Sequence, residues 1–298
     1  MRRALPTAAL LAVSLLAPAA AHAQPPDQTI DADQPVATER AVLSRGHVDL
    51  GPRYVDGDWT LMVHDDSADP SVWRSLDRTV FEVSDQAVLP VPEDPAYSFI
   101  GEPGTPVYVV PQVQNPDVAW VGWNTQDPEV LDTIDGGVTL TLTGVDGPGE
   151  LFVYLQAGNF GAADVLWDSG RAERQDIWVE VNTHTHANWV FTEPGVYLVQ
   201  VEVAADLVDG RTVGDPATIR FAIGDATDTE AAFAAEPPAA TSAPAEAAVV
   251  EDAGDSDSGT PVVALGIGAV ALALVVGAVI VVVRGRAAKR RARTGGAE

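Results

Sequence analysis

The sequence contains no cysteine. This absence excludes a disulfide framework, a thiolate zinc site and a cysteine nucleophile. Basic residues are also few, with 17 Lys and Arg against 43 Asp and Glu in 298 residues. Because binding to nucleic acid requires a positive surface, this balance excludes ordinary nucleic-acid binding. The G-x-S-x-G, P-loop and H-E-x-x-H motifs are absent too, so no catalytic motif predicts an enzyme.

The two ends of the chain have the composition of targeting segments. Residues 1–23 combine Arg2 and Arg3, an apolar run at Ala8–Leu16 and a small-x-small motif at Ala21–Ala23, which is typical of a signal peptide. Residues 262–283 carry no charge and are long enough to cross a membrane as a helix. The basic tail at residues 284–298 then belongs in the cytoplasm. We therefore expect a single-pass protein of the cell membrane whose N-terminal domain is extracellular.

Between these ends the composition predicts three segments. Residues 24–40 are polar and are expected to form a disordered leader. Residues 225–261 are rich in Ala, Pro and acidic residues and are expected to form a flexible stalk. Residues 41–224 alternate short β-type runs with Gly, Pro, Asp and Asn, which predicts an all-β, immunoglobulin-like β-sandwich. Lobes at about 41–135 and 136–224 are expected within it. One short helix is predicted at Asp127–Ile134.

Two of the four histidines outside the signal peptide lie in a predicted hairpin. Asp56-Gly57 is a strong signal for a two-residue turn. This turn sets a register in which Asp49 lies opposite His64 and His47 lies opposite Asp66. Because residues two apart on a strand point to the same side, all four side chains share one face. A bulge in the first strand would scatter them.

The other two histidines, His184 and His186, form a His-x-His pair in the segment NTHTHANWVFTEPGVYLVQVEV. On an extended strand their imidazoles stand side by side, as two ligands of one metal ion do. We hypothesise that both pairs meet in one site for Zn²⁺ or Mn²⁺, with His47, His64, His184 and His186 as ligands and Asp49 and Asp66 as ligands or supporting partners. The alternative is a set of structural His–Asp hydrogen bonds without metal.

Three stretches are distinctive in combination: GHVDLGPRYVDGDWTLMVHDD, PGTPVYVVPQVQNPDVAWVGWNTQDP, and NTHTHANWVFTEPGVYLVQVEVAADLVDG with its closing TIRFAIG. With them, residues 41–224 resemble the actinobacterial surface-anchored protein family, also described as choice-of-anchor M domain proteins. The last stretch looks like the wall-anchored repeat motif of that family. The resemblance implies association with an ABC transporter of the manganese/zinc uptake type, and it implies no enzymatic activity.

The first functional hypothesis is therefore a membrane-anchored surface protein that binds a divalent transition metal and assists an ABC importer. A surface adhesion or glycan-binding module is the alternative, in which Trp120 and Trp123 line a sugar platform in a loop and the His and Asp residues are structural. A metal-dependent hydrolase is the third, since a His/Asp site can activate water. An exposed tryptophan patch would favour the second hypothesis, and an open cleft beside the metal the third.

Overall fold

The computed structural model describes residues 30–156 and 162–237. The predicted signal peptide, the membrane segment at 262–283 and the basic tail lie outside these ranges. Within them, no helix is both long enough and apolar enough to cross a membrane. The described part of the chain is mostly β-sheet, arranged in sandwich-like sheets. The prediction of an all-β fold is thereby confirmed at this level.

The first sheet has six strands and carries the histidines. In spatial order the strands are Val36–Ala37 (β1), Val72–Ser75 (β5), Asp58–Asp65 (β4), Gly46–Val55 (β3), Ala119–Asn124 (β9) and His184–His186 (β14). β3 and β4 form the predicted hairpin, with Asp49 opposite His64 and no shift in register from Val48 to Val55. The turn forms because Asp56 and Gly57 both adopt positive φ, as a type I′ turn requires. No bulge interrupts the histidine face.

The second sheet also has six strands and supplies much of the core. Its order is Gln175–Glu180 (β13), Gly137–Asp146 (β10), Gly195–Asp206 (β16), Thr212–Ile223 (β17), Thr79–Val83 (β6) and Ala41–Leu43 (β2). β16 and β17 form a long hairpin around Asp209-Gly210. The third sheet has five strands: Asp164–Asp168 (β12), Leu151–Leu155 (β11), Asn188–Phe191 (β15), Pro106–Val110 (β8) and Val88–Pro90 (β7).

The main hydrophobic core is shared by the three sheets. Val48 and Leu50 of β3 pack there with Phe221 of β17 and Trp189 of β15. On the same β3 strand His47, Asp49 and Gly51 alternate with these core residues, so the histidine face is turned away from the core. A smaller cluster of Ile30, Met62 and Trp73 covers part of that outer face.

The sheets differ from the expected arrangement in two respects. An immunoglobulin-like sandwich has two antiparallel sheets, whereas the described chain has three sheets and includes parallel pairs, such as β3 with β9 and β17 with β6. All three sheets also combine strands from both of the expected lobes, and the described residues belong to one compact unit. No division between sheets therefore occurs at residues 135 and 136.

Two segments that were expected to be disordered contain ordered residues in the described part of the chain, at 30–40 and at 225–237. Within the predicted leader 24–40, Ile30 is buried and β1 pairs with β5. Within the predicted stalk 225–261, Thr229–Ala234 forms a helix (α2) whose Ala232 is buried against Val80 and Ala222. Both segments are polar on average, but single apolar side chains anchor them to the sheets. The predicted short helix is confirmed as Pro128–Thr133 (α1), and Asp127 caps it by accepting from the Glu129 and Val130 amides.

Candidate metal centre

Three neighbouring strands bring the candidate residues together. β9 lies between β3 and β14, and Gly122 of β9 pairs with Asp49 on one side and with His186 on the other. His47 lies two residues before Asp49 on β3, opposite Trp120, and His184 lies opposite Asn124. Paired residues of neighbouring strands point to the same face of a sheet. His47, Asp49, His184 and His186 therefore converge over the backbone of Gly122.

Gly122 leaves the space in which these side chains meet. A Cβ atom at this position would lie 2.5 Å from Asp49 Oδ1, 2.6 Å from the Thr185 carbonyl oxygen and 2.8 Å from His186 Cε1. Real Cβ atoms essentially never approach other atoms to less than 3.0 Å. Any side chain at position 122 would therefore force β3 and β14 apart. Glycine is required at this position because its neighbours approach closely, and not because the backbone adopts a positive φ.

The donor atoms lie within 4.8 Å of one another, close enough to share one ion. The Nε2 atoms of His47, His184 and His186 are each 3.0 Å from the other two. Asp49 Oδ2 lies 3.4 Å from His47 Nε2 and 3.1 Å from His184 Nε2, and Asp49 Oδ1 lies 3.6 Å from His186 Nε2. An ion with tetrahedral bonds of about 2.0–2.1 Å needs edges of about 3.3–3.4 Å between its donors. The observed edges bracket this value, so the residues fit a tetrahedral ion such as Zn²⁺.

Hydrogen bonds among the histidines do not account for this arrangement. Each Nε2 offers a single in-plane position, which holds either a hydrogen or a lone pair. Because the three Nε2 atoms all contact one another, at least two of them must hold the same group, either a hydrogen or a lone pair. Those two atoms cannot form a hydrogen bond with each other. The closest pairs are therefore partly repulsive unless a cation lies between them. Asp49 is fully buried, and its Oδ1 atom has no hydrogen-bond partner among the described residues. Such an atom is costly to bury unless a cation compensates it.

The protonation equilibria of the cluster are strongly shifted. Burial lowers the pKa of His186 to about 3 and outweighs the opposing charge of Asp49, so this ring is neutral near pH 7. Burial raises the pKa of Asp49, but its hydrogen bond with His184 and the charges of His47 and His184 outweigh burial and hold that pKa below its usual value. Asp49 is therefore an anion and His186 a free base, which are the forms that bind a metal.

A second layer of contacts orients the donors. Asp66 Oδ2 lies 3.0 Å from His47 Nδ1. Because an ionised carboxylate only accepts, Nδ1–H donates and the neutral ring presents its Nε2 lone pair to the cluster. The ring of Trp120 stacks on His186 at a centroid distance of 3.7 Å and an interplanar angle of 9°. The Asn124 amide donates to Asp49 Oδ2 at 3.3 Å.

The structure does not bring all six residues of the hypothesised site together. His47, Asp49, His184 and His186 form the cluster, whereas His64 and Asp66 lie outside it. His64 is buried with its Nε2 atom 2.7 Å from Gln34 Oε1, and Asp66 contacts the outward nitrogen of His47. The physical reason is the position of β4, which lies on the far side of β3 from β14. Both residues therefore lie beside the cluster, and neither belongs to its group of donors.

Sequence reasoning missed the contribution of β9. Gly122, Trp120 and Asn124 line the same face as the donors, and the W-x-G-x-N spacing of this strand was available as a signal. It also assigned Trp120 and Trp123 to an exposed loop, which is wrong. Both lie on β9, with only 8% and 3% of their surface exposed. The sugar platform expected for an adhesion or glycan-binding module is therefore not formed by these two residues.

Comparison of the chain with family models, with curated proteins and with solved structures finds no match.

Proposed function

We propose that this protein binds one divalent transition metal ion through His47, Asp49, His184 and His186, and that Zn²⁺ is the preferred ion. The observation that carries the proposal is the convergence of three Nε2 atoms and one buried carboxylate with edges of 3.0 to 3.6 Å. Three imidazoles and one carboxylate suit Zn²⁺ better than Mn²⁺, which favours oxygen donors. Mn²⁺ is the second candidate.

The donor count favours metal binding over catalysis. Catalytic zinc sites use three protein ligands and keep a fourth position for water, whereas closed sites use four protein ligands. Here four side chains each offer one donor atom, and the most exposed of them, His47, has only 10% of its side-chain surface accessible. A metal-dependent hydrolase would need an open position and a separate base beside the ion. The geometry therefore supports a module that captures or stores an ion.

The cellular role is proposed from the sequence. The apolar segments at residues 1–23 and 262–283 support an exported domain held at the membrane by a single helix. Subtracting Arg2 and Arg3 of the predicted signal peptide and the six cations of the tail leaves 9 basic residues in the exported part, and subtracting Glu298 of the tail leaves 42 acidic ones. The resulting net charge near −33 attracts cations. Together with the resemblance to surface-anchored proteins, these features support an accessory role beside an ABC-type metal importer.

Metal content is the direct test. We expect the purified full-length protein, loaded with Zn²⁺ and freed of excess, to hold about one ion per chain by elemental analysis. A doubly substituted variant, His184→Ala with His186→Ala, should hold none. Gln86→Leu is the control, because it changes an exposed residue outside the cluster, and it should keep the ion. A wild-type stoichiometry near zero with Zn²⁺ and with Mn²⁺ would refute the proposal.

The importer association has a separate test. Cells that lack this protein should take up labelled Zn²⁺ more slowly when the metal is scarce, and complementation with the wild-type chain should restore the rate. Complementation with the His184→Ala/His186→Ala variant should fail. Equal uptake with both chains would leave the metal site intact as a proposal but remove its role in import.

A further inference from the structure

An N-terminal strap, residues 30–37, lies across the outer face of the first sheet beside the metal cluster. Ile30 is buried against Met62 and Trp73. The Trp73 amide donates to the Pro35 carbonyl at 3.0 Å, and β1 at the end of the strap pairs in parallel with β5. The strap is thus docked by an apolar anchor at its start and by strand pairing at its end.

A chain of polar contacts connects the strap to the donor His47. Gln34 Oε1 of the strap lies 2.7 Å from His64 Nε2. On its other side, His64 Nδ1 lies 3.6 Å from Asp66 Oδ1. Asp66 Oδ2 in turn lies 3.0 Å from His47 Nδ1, and His47 Nε2 faces the centre of the cluster. Gln34 is therefore three contacts away from the donor His47.

The His64 ring, in the middle of this series of contacts, has little freedom to move independently. Only 1% of the surface of His64 is exposed, and its ring lies 4.9 Å from that of Trp73, the residue on which Ile30 also packs. When the strap is docked, the Gln34 amide oxygen is a hydrogen-bond partner of His64 Nε2. When it is not, this contact is lost, and the ring can tilt away from Asp66. The orientation of Asp66, and through it that of His47, thus depends on the strap.

We propose that docking of the N-terminal strap raises the metal affinity of the cluster, and that metal binding in turn tightens the strap. This inference rests on the proposed metal-binding function and adds its regulation. Coupling between two sites is reciprocal, so each event must favour the other by the same factor. In the sequence, the strap directly follows residues 1–29. A partner or a cleavage event that displaces residues 30–37 would therefore lower the metal affinity by that factor.

The test compares two glutamine variants of the full-length protein. Gln34→Leu removes the contact with His64, and Gln86→Leu makes the same change at an exposed position. We expect Gln34→Leu to weaken Zn²⁺ binding about five- to tenfold in a competition titration, at the lower end of the range for coupled sites. Gln86→Leu should leave the affinity unchanged. Ile30→Ala, which loosens the strap without touching the polar chain, should weaken binding as well.

The reciprocal measurement is hydrogen exchange of residues 30–40 with and without Zn²⁺. We expect Zn²⁺ to slow exchange in this segment of the wild type and to slow it less in Gln34→Leu. If the wild type binds Zn²⁺ but neither the strap exchange nor the Gln34→Leu affinity changes, the coupling is refuted while the metal site stands. If the wild type binds no metal, both proposals are refuted together.

Discussion

Replacing Gly122 with alanine is the sharpest perturbation of the candidate centre, because it adds one methyl group and removes no donor. The new Cβ would lie 2.5 Å from Asp49 Oδ1, where ordinary van der Waals contact begins at 3.4 Å. Asp49 Oδ1 must therefore move by about 0.9 Å and the strand that carries Thr185 and His186 by about 0.8 Å. The Thr185 carbonyl at 2.6 Å is main chain and cannot rotate away, so the strain falls on the pairing of β9 with β14.

The expected magnitude has two parts. Overpacking by one methyl group in a tight interior costs about 1–3 kcal/mol of unfolding free energy. For a domain of this size each kcal/mol lowers Tm by about 2–4 °C. Metal affinity should suffer more, because metal sites tolerate deviations of only about 0.2 Å in bond length. We expect Zn²⁺ affinity to fall by at least about 100-fold, which is the upper limit of the effect of losing a supporting partner of a metal ligand.

The assay is a pair of measurements on each full-length variant: Tm after chelation, and Zn²⁺ affinity by competition titration. Gly214→Ala is the matched control, because its added Cβ would meet only the end of the flexible Glu202 side chain, at 3.3 Å. That variant should bind Zn²⁺ as the wild type does. If Gly122→Ala retained both the wild-type affinity and the wild-type Tm, the convergence of the donors over β9 would be incorrect.

Three further outcomes follow from the same contacts. Zn²⁺ at about 100 times its Kd should stabilise the wild type by about 2.7 kcal/mol, seen as a rise in Tm that a chelator reverses; an unchanged Tm would contradict binding to the folded state. Asp66→Asn should lower Zn²⁺ affinity about 10- to 100-fold, because the charge that holds Nδ1–H of His47 is lost, and wild-type affinity in a titration would exclude this support. Zn²⁺ affinity should also fall as the pH falls through the pKa of His47. Burial lowers that pKa, but the hydrogen bond with Asp66 and the charges of Asp49 and Asp66 outweigh burial and raise it above 6.5; protons therefore begin to compete above pH 6.5, and a flat affinity between pH 8 and pH 6 would contradict the assignment.

Local signals were sufficient to predict the hairpin half of the site. Asp56-Gly57 dictates a two-residue turn, and the turn alone fixes Asp49 opposite His64. The predicted proximity of His47 and Asp66 follows from the same register, and the Asp66 amide donates to the His47 carbonyl at 3.1 Å. The spacing of His184 and His186 similarly ensures that their rings share a face, since both lie on one short strand.

Long-range pairing was beyond the reach of these signals. Whether β14 lies beside β4 or beside β9 depends on how three sheets share one core, and no local pattern encodes it. Sequence reasoning therefore could not separate the donors from His64, which has the same residue type and strand context as His47 but lies on the strand that faces away from β14. Composition failed in the N-terminal leader for a related reason. One buried Ile30 and a two-residue strand dock a segment that is polar on average.

The way in which β14 is held suggests that the centre is formed before the ion arrives. The Thr183 amide donates to Thr125 Oγ1 at 3.0 Å, and the Thr125 amide donates to the Thr183 carbonyl at 2.9 Å. The Thr125 hydroxyl also donates to the Glu180 carbonyl at 2.7 Å, which secures the chain on both sides of the positive-φ residue Asn182. These contacts hold the His-x-His strand against β9 without any contribution from a metal. A preformed site has little conformational entropy left to lose on binding, so the main cost of the metal-free state is the mutual repulsion of three imidazole nitrogens, which a bound cation relieves.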